Sequence, residues 1–96
     1  MIVEIAIFEA VPGQEDALAE GIKQGIEVIR PTPTCRAIRV HRGIETPSRC
    51  VLYIEWDSVE AHLDFRGGPN FPKWRSHING LFETVKMEHF EVIRDA

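Results

Sequence analysis

Cysteine is scarce in this 96-residue chain, and its placement excludes two kinds of site. Cys35 and Cys50 are the only two, they form no C-x-x-C motif, and no histidine stands at zinc-finger distance from them. Neither a disulfide framework nor a metal site is therefore predicted. We expect two buried free thiols.

Positive charge and long hydrophobic runs are also lacking. Eleven Lys and Arg against fifteen Asp and Glu give a net charge of −4, and no basic run exceeds two residues. This pattern predicts no nucleic-acid or anionic membrane partner. No apolar segment approaches the roughly 20 residues that span a bilayer, and the N-terminus has no basic region or cleavage site. We expect a cytoplasmic protein.

The length favours one domain over residues 1–96, and 44% of the residues are hydrophobic. A chain of this size buries roughly 60 to 70% of the surface that its unfolded form exposes, so a monomer would have a thin core. Association with a second copy would supplement that core.

The first half of the chain reads as a strand, a helix and a hairpin. Ile2–Ala10 is aliphatic on both faces, which is typical of a central strand, and Pro12-Gly13 ends it. A helix is predicted over 14–29, with Gly21 and Gly25 on its apolar side for close packing of helix on sheet. The apolar positions that define it are Leu18, Ile22, Ile26 and Ile29.

Two alternating segments, Arg36–Gly43 and Arg49–Asp57, predict a hairpin with its turn near Thr46. That register places Cys35 and Cys50 seven positions apart, or roughly 23 Å at strand rise. The two thiols therefore cannot form a disulfide within one subunit.

The second half predicts a broken helix and a last strand. Asp57 and Glu60 have the spacing of a capping box that begins a short helix ending at Gly67-Gly68. Asn70 is expected to cap a second helical segment, and Thr84–Ile93 alternates as a strand. The apolar stripe of that second segment is Phe71, Trp74, Ile78, Leu81 and Phe82.

The order β-α-β-β-α-β predicts an α+β, ferredoxin-like sandwich, in which both helices cover one face of a four-stranded antiparallel sheet. The other face is too apolar for solvent, so we expect a second copy of the chain to cover it. The strand positions assigned to that face are Glu4, Phe8, Tyr53, Phe90 and Val92.

Residues 51–90 contain a hydrophobic strand ending in Trp56, an S-x-E-A-H helix start, a glycine loop before Phe71 and a final strand with an aromatic residue. In these features the chain resembles the antibiotic biosynthesis monooxygenase family of dimeric α/β barrels. The resemblance implies a homodimer whose subunits pair as such a barrel. It leaves the activity open, because the family includes cofactor-independent quinol or polyketide oxygenases, heme degraders and members without a known reaction.

The resemblance also implies a cleft between sheet and helices that would suit a flat aromatic substrate. An aromatic stripe at helical spacing is ordinarily core, so a purely structural role is the alternative for each ring. The side chains expected to line the cleft are Trp56, His62, Phe65, Arg66, Phe71, Trp74 and Arg75.

His62 is the expected base, because imidazole accepts a proton near neutral pH and an oxygenase without metal or flavin must deprotonate a phenol. The alternative is a structural role, in which His62 caps the helix surface or forms a hydrogen bond to a backbone carbonyl. Arg66 or Arg75 would hold a substrate carbonyl or oxyanion, or would simply lie on a solvated helix face. His41, His77 and His89 have weaker claims.

Metal and heme are not expected. No two histidines have the i, i+4 spacing of a helical ligand pair. The heme-degrading branch uses an Asn, a Trp and a His at positions that match Ala6, Phe65 and Arg75 approximately.

The sequence thus favours a homodimeric, cofactor-independent monooxygenase acting with O₂ on a small phenolic, quinol or polyketide-type aromatic. The alternative is a non-catalytic binding or regulatory protein of the same fold that holds a hydrophobic metabolite.

Overall fold

The strands and helices follow one another in the predicted order, and the computed structural model describes all 96 residues. The sheet has the order β2-β3-β1-β4 with antiparallel neighbours throughout, which confirms the ferredoxin-like α+β fold. None of the helices has the length and apolar character needed to cross a membrane. The elements are β1 (Ile2–Ala10), α1 (Glu15–Ile29), β2 (Cys35–Arg42), β3 (Arg49–Trp56), α2 (Val59–Arg66), α3 (Asn70–Ser76) and β4 (Phe82–Glu91).

Strand register decides which side chains of the central strand β1 point toward the helices. Glu4 lies opposite Ile54 on one side and His89 on the other. Glu4 and Phe8 are both buried on the helix-covered face, so their assignment to the bare face is wrong. The error arose because β1 is apolar on both faces, and alternation alone cannot tell the two faces apart.

The opposite face of the sheet carries the odd-numbered residues of β1. Tyr53 pairs with Ile5, and Phe90 pairs with Val3, so both lie on that face as predicted. Val92 follows the end of β4 and is exposed.

The short helices begin and end differently from the prediction. Ser58 rather than Asp57 caps α2, because its hydroxyl oxygen accepts a hydrogen bond from the Ala61 backbone N–H at 3.1 Å. The Asp57 carboxylate instead pairs with Arg36 across the hairpin. Asn70 is the first residue of α3 rather than its cap.

The apolar stripe predicted to continue the last helix through Phe82 is also interrupted. Helix α3 ends at Ser76, and Gly80 adopts φ +81°, a left-handed conformation that stops helical continuation. Ile78 is fully buried in the turn, and Phe82 begins β4. The apolar residues after Ser76 keep a helical spacing although they lie in a turn and a strand, because their side chains face the same core as those of α3.

The hairpin keeps the two cysteines apart as predicted. Cys50 lies opposite Arg42, and Cys35 lies opposite Trp56 because of an irregularity in pairing near Ala37. Both thiols are free, Cys50 buried and Cys35 half-buried.

Helix α1 packs against α3 through its two glycines, whereas the sequence predicted close packing against the sheet. A Cβ at Gly25 would lie 2.8 Å from ring carbons of Trp74, and a Cβ at Gly21 would collide with the backbone carbonyl of His77. These glycines therefore fix how closely α3, and the site residues on it, approach the rest of the fold.

Gly21→Ala should lower the free energy of unfolding by up to about 2 kcal/mol, measured by urea denaturation. Overpacking against a backbone atom costs roughly 1 to 3 kcal/mol, and the helix preference of alanine offsets about 1 kcal/mol of it. Gln24→Ala, at an exposed position of the same helix, is the control and should change stability by less than about 0.5 kcal/mol. A Gly21→Ala protein more stable than wild type would contradict this packing.

Candidate active site

A small cavity lies between the sheet and the helices α2 and α3. Its volume is about 110 Å³, and it reaches the surface beside the exposed residues Arg66 and Val85. The sheet contributes Glu4, Ala6, Phe8, Leu52, Val85 and Met87. The helices contribute His62, Arg66, Phe71, Trp74 and Arg75.

Most of the residues predicted for the cleft meet in this cavity, and the two exceptions lie behind it. Trp56 is fully buried and stacks on the His62 ring, with centroids 5.2 Å apart. The Phe65 ring packs against the Trp56 ring, with centroids 5.7 Å apart, and meets the Phe71 ring edge-on, with centroids 6.3 Å apart. Trp56 and Phe65 therefore support the lining residues rather than forming the wall.

A buried acid–base pair forms one end of the cavity. The carboxylate of Glu4, on β1, lies with its Oε1 3.2 Å from Nε2 of His62, on α2. The same Oε1 accepts a hydrogen bond from the indole N–H of Trp56 at 2.9 Å. Glu4 and His62 are 6% and 5% exposed, so two titratable groups are buried side by side.

His62 also contacts a second histidine. Its Nδ1 lies 2.7 Å from Nε2 of His89, on β4. With Nε2 protonated, the His62 ring places that N–H against the Glu4 carboxylate, and Nδ1 then accepts the hydrogen bond that His89 donates. Both ring nitrogens of His62 are then engaged within the protein.

Burial dominates the electrostatics of the pair. It lowers the pKa of His62 to about 4, and the neighbouring positive charges of His89 and Arg66 act in the same direction. Burial raises the pKa of Glu4, against which the Trp56 hydrogen bond and the Arg66 charge act. The imidazole pKa therefore lies well below the ordinary value of about 6.5 that the sequence suggested.

Two arginines surround the rest of the cavity. The guanidinium of Arg75 lies over the rings of Phe71 and Phe82, 5.6 and 5.2 Å from their centroids. Its Nε is buried and has no hydrogen-bond partner within the chain. A buried donor without a partner costs free energy, and the Arg75 side chain also lines the cavity.

Sequence reasoning missed Glu4 as a site residue and ranked His89 low. The available signal was the carboxylate of Glu4 among the apolar residues of the central strand, where the other carboxylate, Glu9, lies next to the strand end. Glu4 is unusual because an ionised group is rarely buried without partners. His89 carried no such signal, because the alternating pattern of the last strand fits a histidine on either face.

A larger depression, of about 820 Å³, lies elsewhere, between the C-terminal end of α1 and helix α2. Prolines, threonines and acidic side chains line most of it, and of the residues predicted for the cleft only Phe65 lines it. No group of three or more His, Cys, Asp or Glu side chains is arranged to hold a metal ion. The acid–base pair therefore marks the smaller cavity as the candidate active site.

The fold and site together define a ferredoxin-like protein with a buried acid–base pair in a small, ring-lined cavity. Residues 1–76 match the antibiotic biosynthesis monooxygenase family, and the chain belongs to that family. A proposed antibiotic biosynthesis monooxygenase from Bordetella bronchiseptica is 30% identical in sequence, and its crystal structure matches 97% of each chain with a TM-score of 0.88.

Two further relatives extend over nearly the whole chain. The structure of Rv0793 from Mycobacterium tuberculosis is 22% identical, covers 99% of this chain and 97% of its own, and has a TM-score of 0.82. YczJ, an uncharacterized protein of Bacillus subtilis, is 22% identical over 93 residues, which are 95% of this chain and 98% of YczJ. These two likenesses bear on the fold.

The lowered pKa of His62 should make stability depend on pH. Between about pH 6.5 and 4 the unfolded chain binds a proton at this position and the folded chain does not, so His62 contributes a loss of stability as pH falls through that window. Glu4 acts oppositely: its raised pKa adds stability at low pH, which is lost as pH rises from 4.5 through its folded value.

Comparison of wild type with His62→Gln by urea denaturation separates the two effects, because glutamine keeps a donor for Glu4 and does not titrate. The stability of wild type relative to His62→Gln should fall by up to about 3 kcal/mol between pH 6.5 and 4. Parallel pH dependences in the two proteins would contradict the lowered pKa.

Proposed function

We propose that this protein is a cofactor-independent monooxygenase that oxidises a small one-ring hydroquinone or related phenol with O₂. The observation that carries the proposal is the buried Glu4–His62 pair at the end of a cavity walled by aromatic side chains. A family of this name makes an oxygenase reaction the natural expectation, and the pair supplies the base that such a reaction requires.

The cavity volume favours a single ring over the polycyclic aromatics that the family resemblance also allowed. At about 110 Å³ it lies near the roughly 150 Å³ of an engineered protein cavity that binds benzene. Typical pockets for drug-sized ligands are larger, roughly 300 to 1,000 Å³. The edge of a bound ring would contact Phe8 and Trp74, which are themselves arranged edge-to-face.

The reaction balances without a cofactor. Removal of one phenolic proton gives an anion that transfers an electron to O₂, and recombination of the two radicals forms a ring peroxide. Protonation of the distal oxygen gives a ring hydroperoxide. Loss of the hydrogen on the same ring carbon, with cleavage of the O–O bond, then releases water and leaves the second oxygen as a ring carbonyl, so hydroquinone and O₂ give hydroxyquinone and water. The protein supplies a base, an orientation and exclusion of water.

The arginines have a defined task in this scheme. Charge accumulates on the phenolate and then on the peroxide oxygens, and a fixed guanidinium stabilises such charge more effectively in a dry site than in water. Arg75 lines the cavity and supplies positive charge beside that oxygen, and Arg66 adds positive charge at the cavity mouth.

Purified protein should consume O₂ and convert methylhydroquinone or a related hydroquinone to its hydroxyquinone, as followed with an oxygen electrode and mass spectrometry. His62→Ala should lower kcat roughly 10²- to 10⁴-fold, because the Glu4–His62 pair loses its geometry. His77→Ala, at an exposed histidine, is the matched control and should retain wild-type turnover.

The dependence on O₂ separates the proposed enzyme from a binding protein. Under anaerobic conditions the same panel of hydroquinones should bind without conversion. Saturable binding with no turnover of any panel member in air would contradict the oxygenase and favour the non-catalytic binding protein instead.

We also propose that two copies associate through the uncovered sheet face. That face carries half-buried Ile5, Ile7 and Val51 together with exposed Phe90, an apolar surface that a monomer leaves against water. Arg39 lies over the Tyr53 ring at 4.6 Å on the same face and supplies polar contacts at its edge.

The protein should sediment at about twice its monomer mass of 10.9 kDa at micromolar concentration. Ile5→Lys, which places a charge at the centre of the uncovered face, should shift the equilibrium to monomer, because an unpaired charge is costly to bury. Glu83→Lys, at an exposed position of β4, is the control for the added charge. A wild-type monomer at that concentration would contradict the association.

A further inference from the structure

We propose that Glu4, through its free oxygen Oε2, is the group that accepts the substrate proton, and that His62 and Trp56 are positioning residues that hold it. This inference rests on the proposed function and assigns the base within the Glu4–His62 pair. It differs from the sequence-based hypothesis, in which His62 accepted the proton directly.

The two groups differ in which of their atoms are available. His62 shares a hydrogen bond through Nδ1 with His89 at 2.7 Å, and its Nε2 lies 3.2 Å from Oε1 of Glu4. For His62 to take a proton from a ligand, one of these contacts must break inside a buried site, which costs roughly 1 to 3 kcal/mol for the group left unpaired.

Glu4 has no such obstacle. Its Oε1 accepts from Trp56 and lies against His62, whereas Oε2 accepts no hydrogen bond from any side chain or backbone group. Glu4 lines the cavity, and Oε2 is not among the enclosed atoms that lack a partner. The remaining oxygen is therefore accessible from the cavity, where a phenolic O–H can reach it.

The surroundings suit a carboxylate that alternates between two protonation states. Burial favours the protonated acid, and the Trp56 N–H and the charge of Arg66 favour the carboxylate. The other polar groups near Glu4 are His62 on α2 and His89 on β4, and Arg75 lines the same cavity. On β2, the charge of Glu4 contributes to the raised pKa of the Cys35 thiol. An acid held between two states is suited to both taking up and returning a proton.

The proton taken up by Oε2 has a later use. In the proposed reaction the peroxide anion must be protonated before the O–O bond breaks, and the same carboxylic acid can return the proton to the distal oxygen. Glu4 then ends each cycle as the carboxylate, and no group outside the cavity is needed to balance the proton.

The test uses 4-nitrocatechol, a one-ring phenol whose neutral and ionised forms absorb at different wavelengths, so proton transfer is read without turnover. Wild type should bind it as the phenolate at a pH where the free probe is mostly neutral. Glu4→Gln, of nearly the same size, should bind it as the neutral phenol, and Glu83→Gln is the control for loss of an exposed carboxylate. His62→Gln, which keeps a donor for Oε1, should still bind the phenolate.

Kinetics with a turned-over hydroquinone provide the second measurement. Glu4→Gln should lower kcat roughly 10²- to 10⁴-fold and remove the rise of activity with pH, whereas His62→Gln should lower kcat by a smaller factor and keep that rise. The pH limb reports the carboxylate, because a merely structural Glu4 would change stability and leave the limb in place.

The outcomes separate this inference from the proposed function. Loss of the bound phenolate in His62→Gln but not in Glu4→Gln, or failure of wild type to bind the probe, would overturn the role of Glu4. Probe ionisation that depends on Glu4, without O₂-dependent turnover of any hydroquinone, would support the role of Glu4 and overturn the oxygenase.

Discussion

The buried carboxylate of Glu4, on the central strand β1, is the constraint on which the site depends. Removing a charged group from water costs several kcal/mol unless hydrogen-bond partners and opposite charges replace the solvent. Its partners come from two other elements: Trp56 ends the neighbouring strand β3, and His62 lies on α2. The partners that Glu4 requires therefore fix the positions of the end of β3 and of α2 relative to β1.

The same requirement connects stability with reactivity. A fully apolar residue at position 4 would remove the desolvation cost and leave a conventional core beneath α2. What the carboxylate adds is a proton-accepting atom at the cavity surface. Stability is lost at functional sites in this manner when a buried group must remain reactive.

Close packing of the helices forms the rest of the cavity around the pair. Gly21 and Gly25 on α1 allow α3 to approach closely, and α3 brings Trp74 and Arg75 over the sheet. In a volume near that of a single ring, a bound phenol would displace solvent from around Glu4. Electrostatic interactions strengthen when water is excluded, which benefits the base and the arginine donors alike.

Much of this architecture could be predicted from the sequence, because periods of two and near four residues reflect which side chains are buried. The order of elements and the antiparallel sheet followed from such patterns. The meeting of His62, Phe71 and Trp74 in one cavity was implied by the family resemblance. The face that Glu4 occupies did not follow from the patterns, since a strand that is aliphatic on both faces has no alternation to read. Only its register with β3 and β4 settles that question.

The helix ends and the role of His89 depended on contacts between distant segments. The ion pair with Arg36 takes Asp57 away from the α2 cap, and Gly80 diverts the chain before the apolar stripe is complete. His89 acquires its partner only when β4 pairs with β1 and brings it beside His62. Local sequence patterns do not reveal contacts between segments that are distant along the chain.

The central claim is that Glu4 changes its protonation state when a phenol enters the cavity. The most direct measurement is carbon-13 NMR of the Glu4 side-chain carboxyl group, assigned with Glu4→Gln, in anaerobic protein titrated with methylhydroquinone at a pH where free Glu4 is ionised. The account predicts that ligand binding moves the Glu4 signal to that of the carboxylic acid while the His62 nitrogen signals remain those of a neutral ring. A Glu4 signal unchanged at saturation, with His62 becoming protonated instead, would contradict it.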